Sequence, residues 1–258
     1  MNSKKISKHE KKKDKKQYKT VLKKIIFMLL LLAFIVLFII SGIKIINYLI
    51  DSNITNKIMD DISTNIEVRD NEEYNINFKS LKEKNPDTVG FLKVNDTDIN
   101  HVVVKAKDND YYLSHDFEKN ENVAGWIFVD YRNKLDGTDK NIIIYGHNMK
   151  NNNMFGTLKN ILNEDWKEKE ENRYIKFITE KEESIYEVFS VYEIEAENYY
   201  TNTDFLDKTF IDFKEKLKTR SKYNFNVDVK NTNQIITLST CGNTNKNRVI
   251  LHAIKQEK

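Results

Sequence analysis

Cys241 is the only cysteine in the chain. It follows Ile235, Ile236, Thr237, Leu238, Ser239 and Thr240, β-branched, apolar or small residues that favour a strand. It precedes Gly242, Asn243 and Asn245, which favour a turn. Cys241 is therefore expected at a strand end. A second strand-like run at 248–254 can return beside the first through a loop of about six residues, which sets Arg248 opposite Cys241 at roughly 5 Å by backbone spacing. A lone cysteine reads in two ways. Free thiols are commonly inert core filler, yet a thiol before a turn with an arginine nearby is set for a thiolate and for steadying an oxyanion. Such a nucleophile also requires a base, so the histidines are weighed next.

His9 lies in the lysine-rich N-terminus, His101 opens the strand-like NHVVV, and His115 sits in the turn-like YYLSHDF, where packing or surface roles fit best. His252 falls inside the last strand on the pleat face of Arg248 and reads as a satisfied barrel histidine. His147 differs. It follows the apolar run Ile142, Ile143, Ile144, Tyr145 and Gly146, and it precedes the polar stretch 148–153. That is a strand-end position at a loop, the same local setting as Cys241. Cys241, His147 and Arg248 together offer a nucleophile, an acid/base that titrates near neutrality, and an electrophilic stabiliser. Spacing alone leaves this reading beside the structural one.

The surrounding sequence indicates how such a set is carried. Residues 25–43, IIFMLLLLAFIVLFIISGI, are almost purely apolar and as a helix span roughly 28 Å, close to a bilayer's hydrocarbon thickness. They are expected to form one uncleaved transmembrane helix, since no small-residue cleavage site follows. Eleven lysines in the preceding 24 residues, among them Lys4, Lys5, Lys23 and Lys24, predict a cytoplasmic tail at 1–24 and put the rest of the chain outside. The net charge of +3 originates in that tail. What remains is net acidic, which argues against nucleic acid as a partner. An outside domain with one cysteine forms no internal disulfide and depends on its core.

Apolar residues at three- and four-residue steps predict a helical stalk over 44–69, and a second short helix is expected over 71–84, ended by Pro86. Beyond it, runs at 89–94, 99–105, 123–129, 141–145, 174–179, 185–195, 235–240 and 249–254 predict eight short strands in a closed barrel or sandwich. Helices are expected at 153–162 and 203–218. The division predicted is a tail at 1–24, a span at 25–43, a helical connection at 44–85 and a β domain at 86–258.

The segments TLSTC at 237–241 with Arg248 beyond it, and YGHNM at 145–149 followed by MFG at 154–156, resemble the signatures of class B sortases. NPDTVGFLKV at 85–94, DNDYYLSHDF at 108–117 and AGWIFVDYRN at 124–133 are similar to the same class, so the resemblance covers roughly 81–254. It implies a mainly β protein: an eight-stranded sortase-type barrel with N-terminal helices and a long helix before the penultimate strand, for which 203–218 is the candidate. It implies a membrane-bound cysteine transpeptidase of a Gram-positive bacterium, with Cys241, His147 and Arg248 as its catalytic residues. Its partners would be secreted proteins bearing a C-terminal sorting motif and an amine acceptor from cell-wall peptidoglycan precursor or a pilin, with the bilayer held through 25–43. No cofactor and no metal is implied.

One departure concerns specificity. Class B relatives often carry acidic and aromatic residues just after the cysteine, whereas GNTNKN follows here, so no relative's sorting motif transfers. L,D-transpeptidases resemble SHGC with arginine almost adjacent, and papain-like proteases place the cysteine on a helix with histidine downstream; neither pattern fits. The non-enzymatic alternative is a membrane-anchored surface-binding domain with a buried structural cysteine.

Overall fold

A computed structural model of the chain describes residues 3–69, 73–241 and 246–257. Two compact units are present, Met1–Ile50 and Asp51–Lys258. The first is helical and belongs to α1 (Ser3–Ser63). Its apolar side chains from Ile25 to Ile43 are exposed, Phe38 by 80%, and the stretch Val21–Ser63 contains a segment long and apolar enough to cross a membrane. A helix satisfies its own backbone groups, which is what hydrocarbon demands.

The second unit begins with the end of α1, which buries Thr55, Ile58 and Ile62. A small hairpin follows, β1 (Ile66–Arg69) and β2 (Glu73–Ile76), then α2 (Phe78–Lys84). Next come β3 (Thr88–Val94), β4 (Asn100–Val104), β5 (Phe128–Val129), β6 (Asn141–Gly146) and α3 (Glu164–Glu168). The chain then forms β7 (Tyr174–Ile178), β8 (Glu183–Glu195), α4 (Asp207–Thr219), β9 (Ile235–Cys241) and β10 (Asn247–Lys255). Strands β3 to β10 close a barrel in the order β10-β8-β7-β3-β4-β5-β6-β9. Closure removes the free edges that an open sheet would expose. Pairs β4/β5 and β6/β9 are parallel and the others antiparallel. Phe91, Val103, Ile143, Val188, Leu238 and Ile250 are fully buried in this core.

The eight-stranded barrel and the helix before the penultimate strand match expectation, and several boundaries are corrected. The predicted stalk helix ends at Ser63, where Thr64 and Asn65 side chains turn back to the Asp61 carbonyl, and 66–69 is a strand instead. Within 71–84, residues 73–76 pair with β1, and the helix begins only after Asn77, whose side chain accepts from the Ser80 amide at 3.1 Å; residues 71 and 72 lie outside the described residues. Of 123–129 only 128–129 is strand. Gly125 stands at φ +54°, and an added Cβ would meet the Tyr112 carbonyl at 2.3 Å, so the chain bends there to approach 112–114. Asn152 and Met154 have positive φ, which excludes a helix at 153–157; a short 3₁₀ turn occupies Leu158–Leu162. The helix predicted at 203–218 starts at Asp207, after an extended approach in which Phe205 packs on Phe210 and Phe213.

A buried hydrogen-bond chain crosses the barrel strands that end nearest the predicted site. The Asn141 side-chain amide donates to the carbonyls of Tyr200 at 3.2 Å and Asn202 at 2.9 Å, and its oxygen accepts from Thr237 Oγ1 at 2.7 Å. The Thr237 hydroxyl has one proton, so it must accept from His252 Nδ1 at 2.9 Å, leaving His252 Nε2 to accept from the Tyr192 hydroxyl at 2.9 Å. The network therefore holds His252 neutral, as expected of a satisfied barrel histidine.

Burial pushes His252 from its ordinary 6.5 down to about 3, with the Arg220 charge acting in the same direction; burial pushes His101 down to about 4. Below pH 6.5 the unfolded chain takes up protons that these rings refuse when folded. Stability is thus full above pH 6.5 and falls between there and about pH 4, by about 1.4 kcal/mol per pH unit for each ring. Denaturant unfolding at pH 7 and 4.5 measures the loss, and His252→Gln should remove one ring's share of the slope. An unchanged slope in that variant contradicts neutral burial of His252.

Candidate active site

Backbone register brings the three predicted site residues level. Arg248 on β10 is the antiparallel partner of Cys241, the last residue of β9. On the other side β6 runs parallel to β9 with Gly146 beside Thr240, so His147 is the next residue along, level with Cys241. Neighbouring strands lie about 4.8 Å apart, which sets His147, just past the end of β6, and Arg248 on β10 on either side of Cys241 and roughly 10 Å from each other. The hairpin expected from 235–254 is present, while its turn at 242–245 lies outside the described residues. The Arg248 guanidinium is half-buried and donates from Nη1 to the Asn247 carbonyl at 3.0 Å.

His147 is held on both sides. Its Nε2 lies 2.7 Å from the Leu113 carbonyl. A carbonyl only accepts, so Nε2 carries the proton and Nδ1 bears the lone pair of the neutral ring. The His147 carbonyl accepts from the Phe155 amide at 2.9 Å, closing the loop after β6. Gly156 permits that closure, because an added Cβ would meet the Met149 carbonyl at 2.4 Å.

A cleft of about 880 Å³ borders β6 at Tyr145, two residues before His147, and is lined by Asn109, Arg132, Tyr145, Tyr199, Thr201 and Phe205 among others. Its wall is organised by Asp130, whose side chain is fully buried. The carboxylate accepts from Arg132 Nε at 2.8 Å and Nη2 at 2.7 Å, from Asn109 Nδ2 at 3.0 Å and from the Tyr145 hydroxyl at 3.0 Å. Burial alone would raise its pKa, but the Arg132 fork and these further donors hold it below the usual carboxylate range. Burial and the same carboxylate push the Tyr145 hydroxyl well above its ordinary value, so it stays a donor. Sequence reading assigned Asp130 no role. Its signal was a carboxylate ending the apolar run WIFV with an arginine two residues on.

The other histidines of the second unit stand apart from the row. His9 belongs to the first unit. His101 is buried beside Trp126, His115 stacks on Tyr111 with centroids 4.1 Å apart, and His252 is the barrel histidine described above. The Leu113 carbonyl is the partner that residue types could not reveal, because a backbone acceptor carries no side-chain signature. Among the described residues no cluster of His, Cys, Asp and Glu is arranged to hold a metal ion.

Comparison with known proteins agrees with this architecture. A family model for the sortase domain matches residues 92–256. Sortase B of Listeria monocytogenes is 41% identical over 186 residues, covering 70% of this chain and 72% of that protein. The crystal structure of sortase B from Bacillus anthracis in complex with AAEK1 aligns with a TM-score of 0.72 at 35% identity, covering 81% of this chain and 100% of that one. A Staphylococcus aureus sortase B–substrate complex aligns with a TM-score of 0.64 at 34% identity, covering 70% of this chain and 84% of that one.

Removing the buried carboxylate tests how far the cleft wall depends on it. Asp130→Ala leaves the Arg132 fork, Asn109 and Tyr145 without their shared acceptor. A fully buried pair broken on one side costs about 3–5 kcal/mol. Arg132 is 37% exposed and can rehydrate, so a loss of about 2 kcal/mol is expected. The urea midpoint at unchanged m reports it; a shift worth under about 0.5 kcal/mol contradicts the organising role.

Proposed function

The chain belongs to the sortase family, class B, and is a cysteine transpeptidase; we propose that Cys241, His147 and Arg248 are its catalytic residues and that it joins secreted proteins to a cell-wall amine. The observation that carries this reading is the level row across β6, β9 and β10, in which a thiol residue is bracketed by a strand-end histidine and an arginine. In the proposed reaction the Cys241 thiolate attacks the carbonyl of the threonine in a C-terminal sorting signal. Protonated His147 gives its proton to the departing amine, leaving a thioacyl enzyme. An incoming amine from cell-wall peptide, or from a pilin, loses its proton to His147 and attacks the thioester. A new amide forms and the thiolate is restored. Arg248 would present its planar fork to the developing oxyanion or to a peptide carbonyl.

The cleft lined by Tyr145, Asn109 and Tyr199 is our candidate for the bound sorting peptide, a reading supported by its continuity through Tyr145 with β6, which ends one residue before His147. We propose residues 25–43 as a single-pass anchor in the cell membrane. The lysine-rich tail at 1–24 would stay cytoplasmic, 44–85 connect, and 86–258 form the extracellular catalytic domain. Protease added to intact protoplasts should digest the domain and leave a short membrane-held fragment. A soluble secreted form lacking 1–43 contradicts that topology.

Cys241→Ala and His147→Ala should each abolish cleavage and transfer of a cognate sorting peptide while circular dichroism shows a folded barrel. Near-normal turnover in either variant overturns the assignment. Arg248→Ala is expected to lower turnover on the order of 100- to 1000-fold, the usual effect of losing a well-placed oxyanion donor. Arg248→Lys should recover little of it, because an ammonium lacks the planar fork; steady-state rates within a few-fold of wild type for lysine refute the directional role.

A further inference from the structure

The end of α1 fastens the two chain segments that hold His147. The first segment carries the Leu113 carbonyl. That carbonyl lies between two others that are fixed, because Tyr112 O accepts from the Trp126 amide and Ser114 O from the Asn122 amide, both at 2.9 Å. Asn122 is the hub of this lacing. Its backbone binds Ser114, its side-chain oxygen accepts from the Ala124 amide at 2.9 Å, and its Nδ2 lies 3.2 Å from Thr55 Oγ1 and 3.3 Å from the Asp51 carbonyl. Thr55 is fully buried and Asn122 is 4% exposed, so water does not substitute for this contact. Asp51 adds a second tie, its carboxylate accepting from the Val123 amide at 3.0 Å.

The second segment is the loop that follows His147. Asn151 Nδ2 donates to Ser52 Oγ at 2.7 Å, and Asn153 Nδ2 donates to Asn56 Oδ1 at 2.9 Å. One stretch of helix, residues 51–56, therefore meets both the segment that accepts the imidazole proton and the loop into which His147 leads.

We propose that Thr55 on α1, acting through Asn122, and Asp51, acting through the Val123 amide, are positioning residues that set the Leu113 carbonyl and thereby the direction and tautomer of the His147 ring. The proposal rests on His147 being the acid/base. The helix end that follows the apolar N-terminal stretch in sequence is thus part of the enzyme's working parts and not merely a tether. A misplacement of about 1 Å in a reacting group can lower turnover about 100-fold even when the change is remote, which sets the size of effect to look for. Ser52 and Asn56 act as a weaker second arm because their contacts are exposed.

The test uses the full chain in detergent micelles with a cognate sorting peptide. Thr55→Val keeps shape and removes the hydroxyl; Asp51→Ala removes the exposed tie and keeps the fold should the buried substitution fail. Thr55→Val should lower kcat about 10- to 100-fold and Asp51→Ala, whose contact is exposed, by roughly 10-fold or less, both with KM nearly unchanged and with an altered pH profile of kcat. ¹⁵N spectra of the histidine rings should show loss of the single Nε2–H tautomer at His147. Thr55→Ser, which retains the hydroxyl, should restore most of the activity and the tautomer. His147→Ala is measured alongside. If His147→Ala is inactive while Thr55→Val and Asp51→Ala keep wild-type kcat, pH profile and tautomer, the positioning role is overturned and the catalytic assignment stands. If His147→Ala turns over normally, both are overturned.

Discussion

The register of β10 and β6 against β9 is the constraint on which everything else depends. Side chains alternate along a strand, so a slip of one residue between β9 and β10 would take Arg248 from its place opposite Cys241 and reverse the faces of both runs. The hydrogen-bond chain from Tyr192 through His252 and Thr237 to Asn141 spans β8, β10, β9 and β6 and is satisfied in only one alignment. Apolar packing alone tolerates near-equivalent registers, because Ile, Val and Leu repeat along all these strands. A buried polar chain does not, since each unmatched group costs roughly 1–3 kcal/mol. The polar layer therefore specifies the alignment, and the apolar core supplies the drive to close the barrel.

The parallel pairing of β6 with β9 has a chemical consequence. Parallel neighbours end at the same rim of the barrel, whereas hairpin partners begin where the other ends. Cys241 closes β9, Arg248 lies near the start of β10, and His147 follows the end of β6, so all three reach one rim. Residues nearly a hundred positions apart in sequence become level through strand order, and the loops beyond them need only shape the cleft.

Around that row the molecule uses two kinds of support. Asp130 gathers Arg132, Asn109 and Tyr145 from three stretches of chain onto one buried carboxylate, a charge-assisted knot that stiffens the cleft wall. The lacing of 112–114 to 122–126 depends on backbone amides and on Gly125, the residue that lets the two stretches approach. Neither support contributes a reacting group. Both fix the surroundings in which the sortase chemistry proposed for Cys241, His147 and Arg248 would proceed.

The sequence by itself determined most of the barrel strands and pointed to the candidate residues for chemistry. Period-two apolar runs identified the barrel strands because burial on one or both faces of a strand is written locally, and the uniform apolarity of 25–43 is written the same way. The motifs TLSTC and YGHNM gave the family, and the Cys241–Arg248 pairing was legible because a short hairpin leaves little freedom of register. Local rules failed where a distant partner decided: 73–76 became strand by pairing with β1, and 123–127 bent to meet Tyr112. Only the tertiary structure set His147 level with Cys241, through a parallel pairing that no local pattern encodes. It alone supplied the Leu113 carbonyl, the Asp130 knot and the helix end at 51–56, since backbone acceptors and contacts between remote segments exist only after the chain has closed.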